Sequence, residues 1–342
     1  MFQRLFRSLG FLIIVAGFAV GWLVIDLRQF IHSPMNVPHD DVLVVQSGST
    51  IKSVAALLRE RSYVDRPVYF SWYARWDGRA AKIQAGEYRL SPGLTPAQLL
   101  DKLVNGEVVQ YSLTVVEGWT FAQMVAAVAA QDKLTHTLKG VAPGEIMKRI
   151  GYPGVHPEGR FHPDTYYFPE GTTDVEFFQR AYASMERVLS EAWANRAPNL
   201  PFKTPYEALI LASIVEKETG VPAERAQIAG AFVRRLKRGM RLQTDPTVIY
   251  GLGERFDGNL RKADLLRDTP YNTYIRKGLP PTPIALPGQA SILATLHPDA
   301  SQNLFFVARG DGTHHFSATL AEHTAAVRKY QVAPARNRRS TP

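Results

Sequence analysis

The sequence contains no cysteine. Disulfide staples, thiolate metal sites, a cysteine nucleophile and a lipoprotein-type anchor are therefore excluded. It also lacks a His-Glu-x-x-His segment, a glycine-rich phosphate loop and a Gly-x-Ser-x-Gly elbow, which removes familiar routes to zinc peptidases, nucleotide enzymes and serine hydrolases. Zinc-finger spacing, an aromatic RNA-binding signature and a long basic helix are missing too, so nucleic acid is not an expected partner. Lys and Arg (40) outnumber Asp and Glu (31), giving a net charge of +9. That sign suits anionic lipid, another polyanion or simply a solvated basic surface.

Charge is wholly absent from Leu9 to Ile25, a run of about 17 residues at the lower limit for spanning a bilayer core. Arg4 and Arg7 precede the run, Asp26 and Arg28 follow it, and Trp22 suits an interface position. This asymmetry predicts an N-terminus left in the cytoplasm. No small-x-small cleavage site follows closely, so an uncleaved anchor over residues 1–30 is expected, with the rest of the 342 residues outside the cytoplasm. Residues 31–39 read as a linker, and 333–342, with Arg336, Arg338 and Arg339, as a basic disordered tail.

One pattern occurs three times after the linker. Gly48-Ser49-Thr50, Gly93-Leu94-Thr95 and Gly118-Trp119-Thr120 each follow a strand-like stretch and precede a helical one. The glycine allows a tight turn and the threonine caps the helix. Gln98 and Gln123 stand at capping-box spacing from Thr95 and Thr120, and Pro96 takes the first helical position. Ile51, Val54, Ala55 and Leu58 share one helical face, as do Leu99, Leu100 and Leu103 before the Asn105-Gly106 stop. Residues 40–112 are expected to form a compact α+β module and 113–332 a larger α+β domain.

Within the second domain, the segment Gly151 to Thr173 is loop-like and rich in Tyr and Phe, which must pack or line a groove. Helices are predicted over Asp174–Asn195, from Thr204 or Pro205 to Thr219, over Ala226–Arg238 and over Thr319–Gln331, with a strand at Leu304–Ala308. The Pro- and Gly-rich stretch from Thr244 to Gly288 shows little periodicity, and irregular chain of that length is usually functional.

Chemistry enters at the end of the second helix. At 3.6 residues per turn, Leu211, Ile214, Val215 and Glu218 stack on one face. Glu218 is thus a carboxyl on an apolar stripe in the last turn, where burial and the negative helix end both raise its pKa. A carboxyl that keeps its proton near neutral pH is what a general acid needs. Spacing alone also allows a helix-end carboxylate paired with Arg or Lys. Glu216 points away from the stripe and reads as solvated or salt-bridged. His314 and His315 are adjacent, so on a strand they face opposite ways and cannot share a metal. Asp245, before Pro246, and Asn272 read as turn residues by default.

Several blocks together carry a resemblance. They are Glu158-Gly-x-Phe161-x-Pro-Asp164-Thr165, Ala212-Ser-Ile-Val-Glu-Lys-Glu218-Thr219, Arg241-Leu-Gln-Thr-Asp245-Pro-Thr-Val-Ile-Tyr250-Gly, Tyr271-Asn-Thr-Tyr274 and Gly278-Leu-Pro-Pro281 with Pro287-Gly288. Phe306-Val307-Ala308, His314 and His323 complete the set. With the N-terminal anchor, they make the chain resemble the endolytic murein transglycosylase family, also called MltG or YceG-like, over nearly its whole length.

The resemblance implies a LysM-like module over 40–112 and a catalytic domain over 113–332. It implies lytic cleavage of the β-1,4 bond between N-acetylmuramic acid and N-acetylglucosamine in nascent peptidoglycan, leaving 1,6-anhydro ends. Glu218 would be the acid and base, with Asp245, Asn272, Tyr274 and His314 binding the saccharide. The implied setting is a single-pass protein of the inner membrane, periplasmic if the cell is Gram-negative, with peptidoglycan synthases as partners. No cofactor or metal is expected. A lytic reaction uses the sugar's own 6-hydroxyl, so one carboxyl serves where ordinary glycosidases need two. Thr313 and Thr324 depart from the family's usual Gly and Asn beside the two histidines. The competing readings are a non-catalytic peptidoglycan-binding scaffold and a pyridoxal-phosphate lyase, for which no lysine stands in a suitable context.

Overall fold

A computed structural model describes residues 2–332, with side chains described from residue 9 onward; the tail expected at 333–342 lies outside the described residues. The chain divides into two compact units. One holds the chain up to Tyr111 together with Tyr167–Gly171, and the other holds Ser112–Tyr166 and the chain from Thr172 onward.

The first unit opens with helix α1 (Phe2–His32) and continues through β1 (Asp41–Val45), α2 (Ile51–Glu60), α3 (Pro67–Trp76), β2 (Gly86–Leu90) and α4 (Pro96–Asn105). Within α1, Leu9–His32 is long and apolar enough to cross a membrane. β1 and β2 pair antiparallel, with Leu43 opposite Tyr88. The expected faces are the buried ones: Ile51, Val54, Ala55 and Leu58 on α2, and Leu99, Leu100 and Leu103 on α4. They close with Phe70, Tyr88 and Leu90 into one core. Thr50 and Thr95 cap as expected, and Ser53 adds a third reciprocal box that the two glutamines had not suggested. Residues 33–40 form no helix or strand, yet Met35 and Val37 are buried in this same core, and Met35 donates its N–H to the carbonyl of Leu94.

The chain crosses between the units within β3 (Tyr111–Thr114) and β4 (Thr165–Phe168). The second unit holds α5 (Phe121–Ala129), α6 (Pro143–Arg149), α7 (Asp174–Ala194), α8 (Pro205–Glu218), α9 (Arg225–Lys237), α10 (Asp245–Leu252), α11 (Lys262–Leu266) and α12 (Gln289–Leu296), then β5 (Phe305–Ala308), β6 (His314–Ser317) and α13 (Leu320–Val327). The aromatic loop resolves toward packing. Phe161 lies 5.1 Å from Phe121 and 5.6 Å from Phe178, and all three are buried. Two helices, α10 and α11, occupy the stretch that showed no period, because Asp245-Pro246 starts a helix there instead of ending a turn.

Helix α8 is the axis of this unit. Thr204 caps it and Pro205 occupies its first position. Every residue from Ala208 to Val215 is buried, so the helix is apolar all round and not merely on the stripe the spacing picked out. Ile228 and Phe232 of α9, Ile292 and Leu296 of α12, and Met185 and Leu189 of α7 pack around it. Truncating one such residue costs about 2–5 kcal/mol.

Candidate active site

Glu218 is the last residue of α8 and lines a cleft of about 490 Å³. The walls come from the start of α10 (Asp245), the loop carrying Tyr274, strands β5 and β6 (Phe306, His314) and α13 (His323). The carboxyl opens on this cleft while protein surrounds it on its other sides. Burial pushes its pKa above the usual carboxylate range, and the negative charge of Asp245 adds to that push. The Thr244 hydroxyl, His314 and Arg235 act in the opposite direction.

Thr244 holds Glu218 in place. It occupies the N-cap of α10, where a threonine side chain normally accepts from the helix, but it makes no such bond. Its hydroxyl donates to Glu218 Oε1 instead. Behind it, buried Thr273 accepts from the Thr244 N–H at 3.1 Å and lies 2.9 Å from the hydroxyl of Thr247, which donates to the Thr244 carbonyl at 2.8 Å. Gln243, just before Thr244, has a φ of 51°, a left-handed conformation uncommon for a side-chain-bearing residue. Such strain persists only where the surroundings enforce it. Sequence reasoning missed Thr244; the signal was a threonine directly ahead of Asp-Pro, the position of a helix cap.

The other expected site residues separate. Asp245 and Tyr274 meet in the cleft, the phenol donating to Asp245 Oδ1 at 2.5 Å. Burial and that bond push the Tyr274 phenol pKa up, so it stays a donor. His314 also lines the cleft, held by Glu224: its ring Nδ1 is 2.8 Å from Glu224 Oε2 and its backbone N–H donates to Oε1 at 2.8 Å. A carboxylate only accepts, so Nδ1 carries the proton. Glu224, buried in a short 3₁₀ turn, gave no sequence signal. Thr313 donates to Asp311 from its N–H and its hydroxyl, and the His314 contacts form beside it.

The structure does not bring Asn272 into the cleft. It is 1% exposed, its amide donates to the carbonyls of Asp264, Leu265 and Arg267, and its Oδ1 accepts from the Tyr274 N–H at 2.9 Å. Its geometry is that of a loop clamp two residues from Tyr274. Glu216 is salt-bridged as expected but not solvated. Its side chain is 6% exposed, accepts from the Gly288 N–H at 3.0 Å and sits 4.0 Å from Arg225.

Two further groups complete the electrostatics. Buried Arg235 lines the cleft, its Nε donating to the Leu304 carbonyl at 2.7 Å and its Nη1 to that of Leu242. It places a fixed positive charge near Glu218. Glu158 is a second carboxyl with a raised pKa, pushed up to about 7 by burial, but it does not line the cleft. It accepts from the Phe121 N–H at 2.9 Å and the Tyr250 hydroxyl at 3.0 Å, and so serves the start of α5. Among the described residues, no group of three or more His, Asp and Glu is gathered as metal ligands.

Comparison with known proteins gives this arrangement a family. The model of the YceG-like family matches residues 43–329. Over 303 residues the chain is 33% identical to a Bacillus subtilis (strain 168) protein named endolytic murein transglycosylase, covering 84% of this chain and 83% of that one. A Streptococcus pneumoniae (strain D39) protein of the same name is 28% identical over 320 residues, covering 84% of this chain and 57% of the longer relative. A crystal structure of a YceG-like protein from Listeria monocytogenes aligns with a TM-score of 0.53 at 29% identity, covering 84% of this chain and 99% of the other. With a matching family model over most of its length, the chain belongs to the YceG-like family.

Proposed function

We propose that this chain is an endolytic murein transglycosylase that cuts peptidoglycan glycan strands between N-acetylmuramic acid and N-acetylglucosamine, with Glu218 as acid and then base. One observation carries the reading: a carboxyl at the end of the core helix, its pKa raised by burial, opens on a cleft beside Asp245, Tyr274 and His314. The relatives named as murein transglycosylases supply the substrate class.

Thr244 donates to Oε1, so the proton of neutral Glu218 sits on Oε2. That proton passes to the glycosidic oxygen as the bond from C1 to O4 breaks. The 6-hydroxyl of the same muramoyl residue closes on C1, forming the C1–O6 bond, and its proton returns to Glu218. No water is consumed and the acid is regenerated. Arg235 and His314 favour the carboxylate that exists between the two transfers. Asp245 and Tyr274 orient the saccharide, and Asn272 acts through the loop it clamps.

Residues 40–112 act as a LysM-like module toward the same glycan. The apolar part of α1 is a single-pass anchor in the inner membrane, Arg4 and Arg7 favour a cytoplasmic N-terminus, and peptidoglycan synthases are the expected neighbours. Mass spectrometry of glycan strands digested with the purified protein tests the reaction. Products with 1,6-anhydro ends that vanish with Glu218→Gln support it, and ordinary reducing ends overturn it.

A further inference from the structure

Helix α3 has an apolar face where a water-facing one is expected. Its core side is Phe70, Ser71 and Ala74, all buried. The opposite side of a surface helix is normally polar. Here Val68, Trp72 and Trp76, spaced one turn apart, are 52%, 45% and 72% exposed. Tryptophan in that position is costly to leave in water and is the residue that marks membrane interfaces.

The stripe is continuous with the helix read as the anchor. Trp72 stacks on Tyr69 with ring centres 5.8 Å apart, and Tyr69 meets Phe30 of α1 edge-on at 5.6 Å. Asp26 of α1 accepts from Arg66, the N-cap of α3, and from the Tyr69 hydroxyl at 2.8 Å. Asp26 follows the last residue of the uncharged run, and Phe30 stands four residues further along the same helix. At a 1.5 Å rise that places the start of α3 within about 6 Å of the end of the apolar run. The headgroup layer of each leaflet is about 5–8 Å deep. Arg75 is exposed on α3, as a cation at a phosphate layer would be.

We infer that α3 is an interfacial helix that lays Val68, Trp72 and Trp76 into the lipid headgroup boundary of the membrane holding α1. The inference rests on the reading of α1 as a membrane anchor. A bilayer is favoured over a sugar or a second copy of the chain because the stripe begins at the level where the anchor's apolar run ends.

The absence of native cysteine makes the test direct. Full-length chains carrying Phe18→Cys, Trp72→Cys or Trp76→Cys are labelled with a polarity-sensitive fluorophore. They are then reconstituted in vesicles of ordinary or bromine-labelled phosphatidylglycerol and phosphatidylethanolamine. Residues 18 and 76 are both more than 70% exposed, so labelling there leaves the fold intact, and Trp72, 45% exposed, gives up its stack on Tyr69. We expect the bromine-labelled lipid to reduce emission about twofold at 72 and 76, and at least as much at 18. Quenching at 18 with none at 72 or 76 overturns the inference and leaves the anchor standing. Insensitivity at all three overturns the anchor reading itself. Protection of 72 and 76 by added glycan strands, or self-quenching between copies, in place of lipid quenching assigns the stripe to those occupants and likewise overturns it.

Discussion

The Thr244 hydroxyl is turned away from the helix it begins and donates to the carboxyl of Glu218. An N-cap hydroxyl is worth about 1 kcal/mol to its helix, so α10 forgoes that stabilisation to fix an oxygen on a neighbouring element. The threonines at 247 and 273, bonded behind Thr244, and the left-handed backbone at Gln243 hold it in that posture.

Replacing Thr244 with valine therefore has a directional effect. The hydroxyl favours the charged form of Glu218, so its loss raises the pKa further. The alkaline limb of kcat/KM against pH moves to higher pH, while kcat at neutral pH falls about tenfold because the carboxyl is no longer positioned. An unchanged pH profile counts against the role given to Thr244.

Glu218→Gln removes the proposed proton donor and keeps the shape. Turnover drops by at least about 10³-fold, since general acid and base catalysis are lost together. Strand binding, followed by co-sedimentation, stays within about twofold of the native level.

Glu224 is a positioning residue for His314. With Glu224→Gln the ring loses its charged partner and its fixed tautomer. The expected result is a kcat about tenfold lower with KM nearly unchanged. A rise in KM alone would show that His314 serves only in ground-state binding.

Asn272→Ala leaves the carbonyls of Asp264, Leu265 and Arg267 without their donor. Losing a buried hub of this kind costs about 2–3 kcal/mol, or a melting temperature lower by about 5–10 °C in a unit of this size. A saccharide ligand in the cleft would instead weaken glycan binding with the melting temperature intact.

Glu158 makes stability depend on pH. Its folded pKa of about 7 lies above the ordinary carboxylate value of 4.5, so the folded state holds a proton that the unfolded state has released. This contribution is full below about pH 4.5 and is lost as pH rises through 7, a change on the order of 3 kcal/mol. Thermal denaturation of Glu158→Gln should show a flatter profile across that window.

Much of this was legible in the residues. The threonine caps, the apolar faces of α2 and α4 and the limits of α7 and α8 follow from local rules, and the structure reproduces them within a residue or two. Glu218 was visible because a charged residue in line with Leu211 and Ile214 breaks an apolar period. Its setting was not. The Thr244 bond spans 26 residues and the Glu224 contact with His314 spans 90, distances at which no periodicity speaks. Asn272 read as a turn residue from its own context, and only the family resemblance made it a saccharide ligand, because a polar side chain in an irregular loop gives no sign whether it faces inward or out. The exposed stripe of α3 carries no local mark either, since tryptophans spaced one turn apart suit a buried face as well as an exposed one.

Met35 and Val37, sunk into the first unit's core directly after α1, leave no leash between that unit and the proposed anchor. Eight residues of free chain would let it wander about 25 Å from the lipid. With α1 in the membrane as proposed, the unit rides at one fixed height, and any glycan bound by the proposed module lies close to the bilayer.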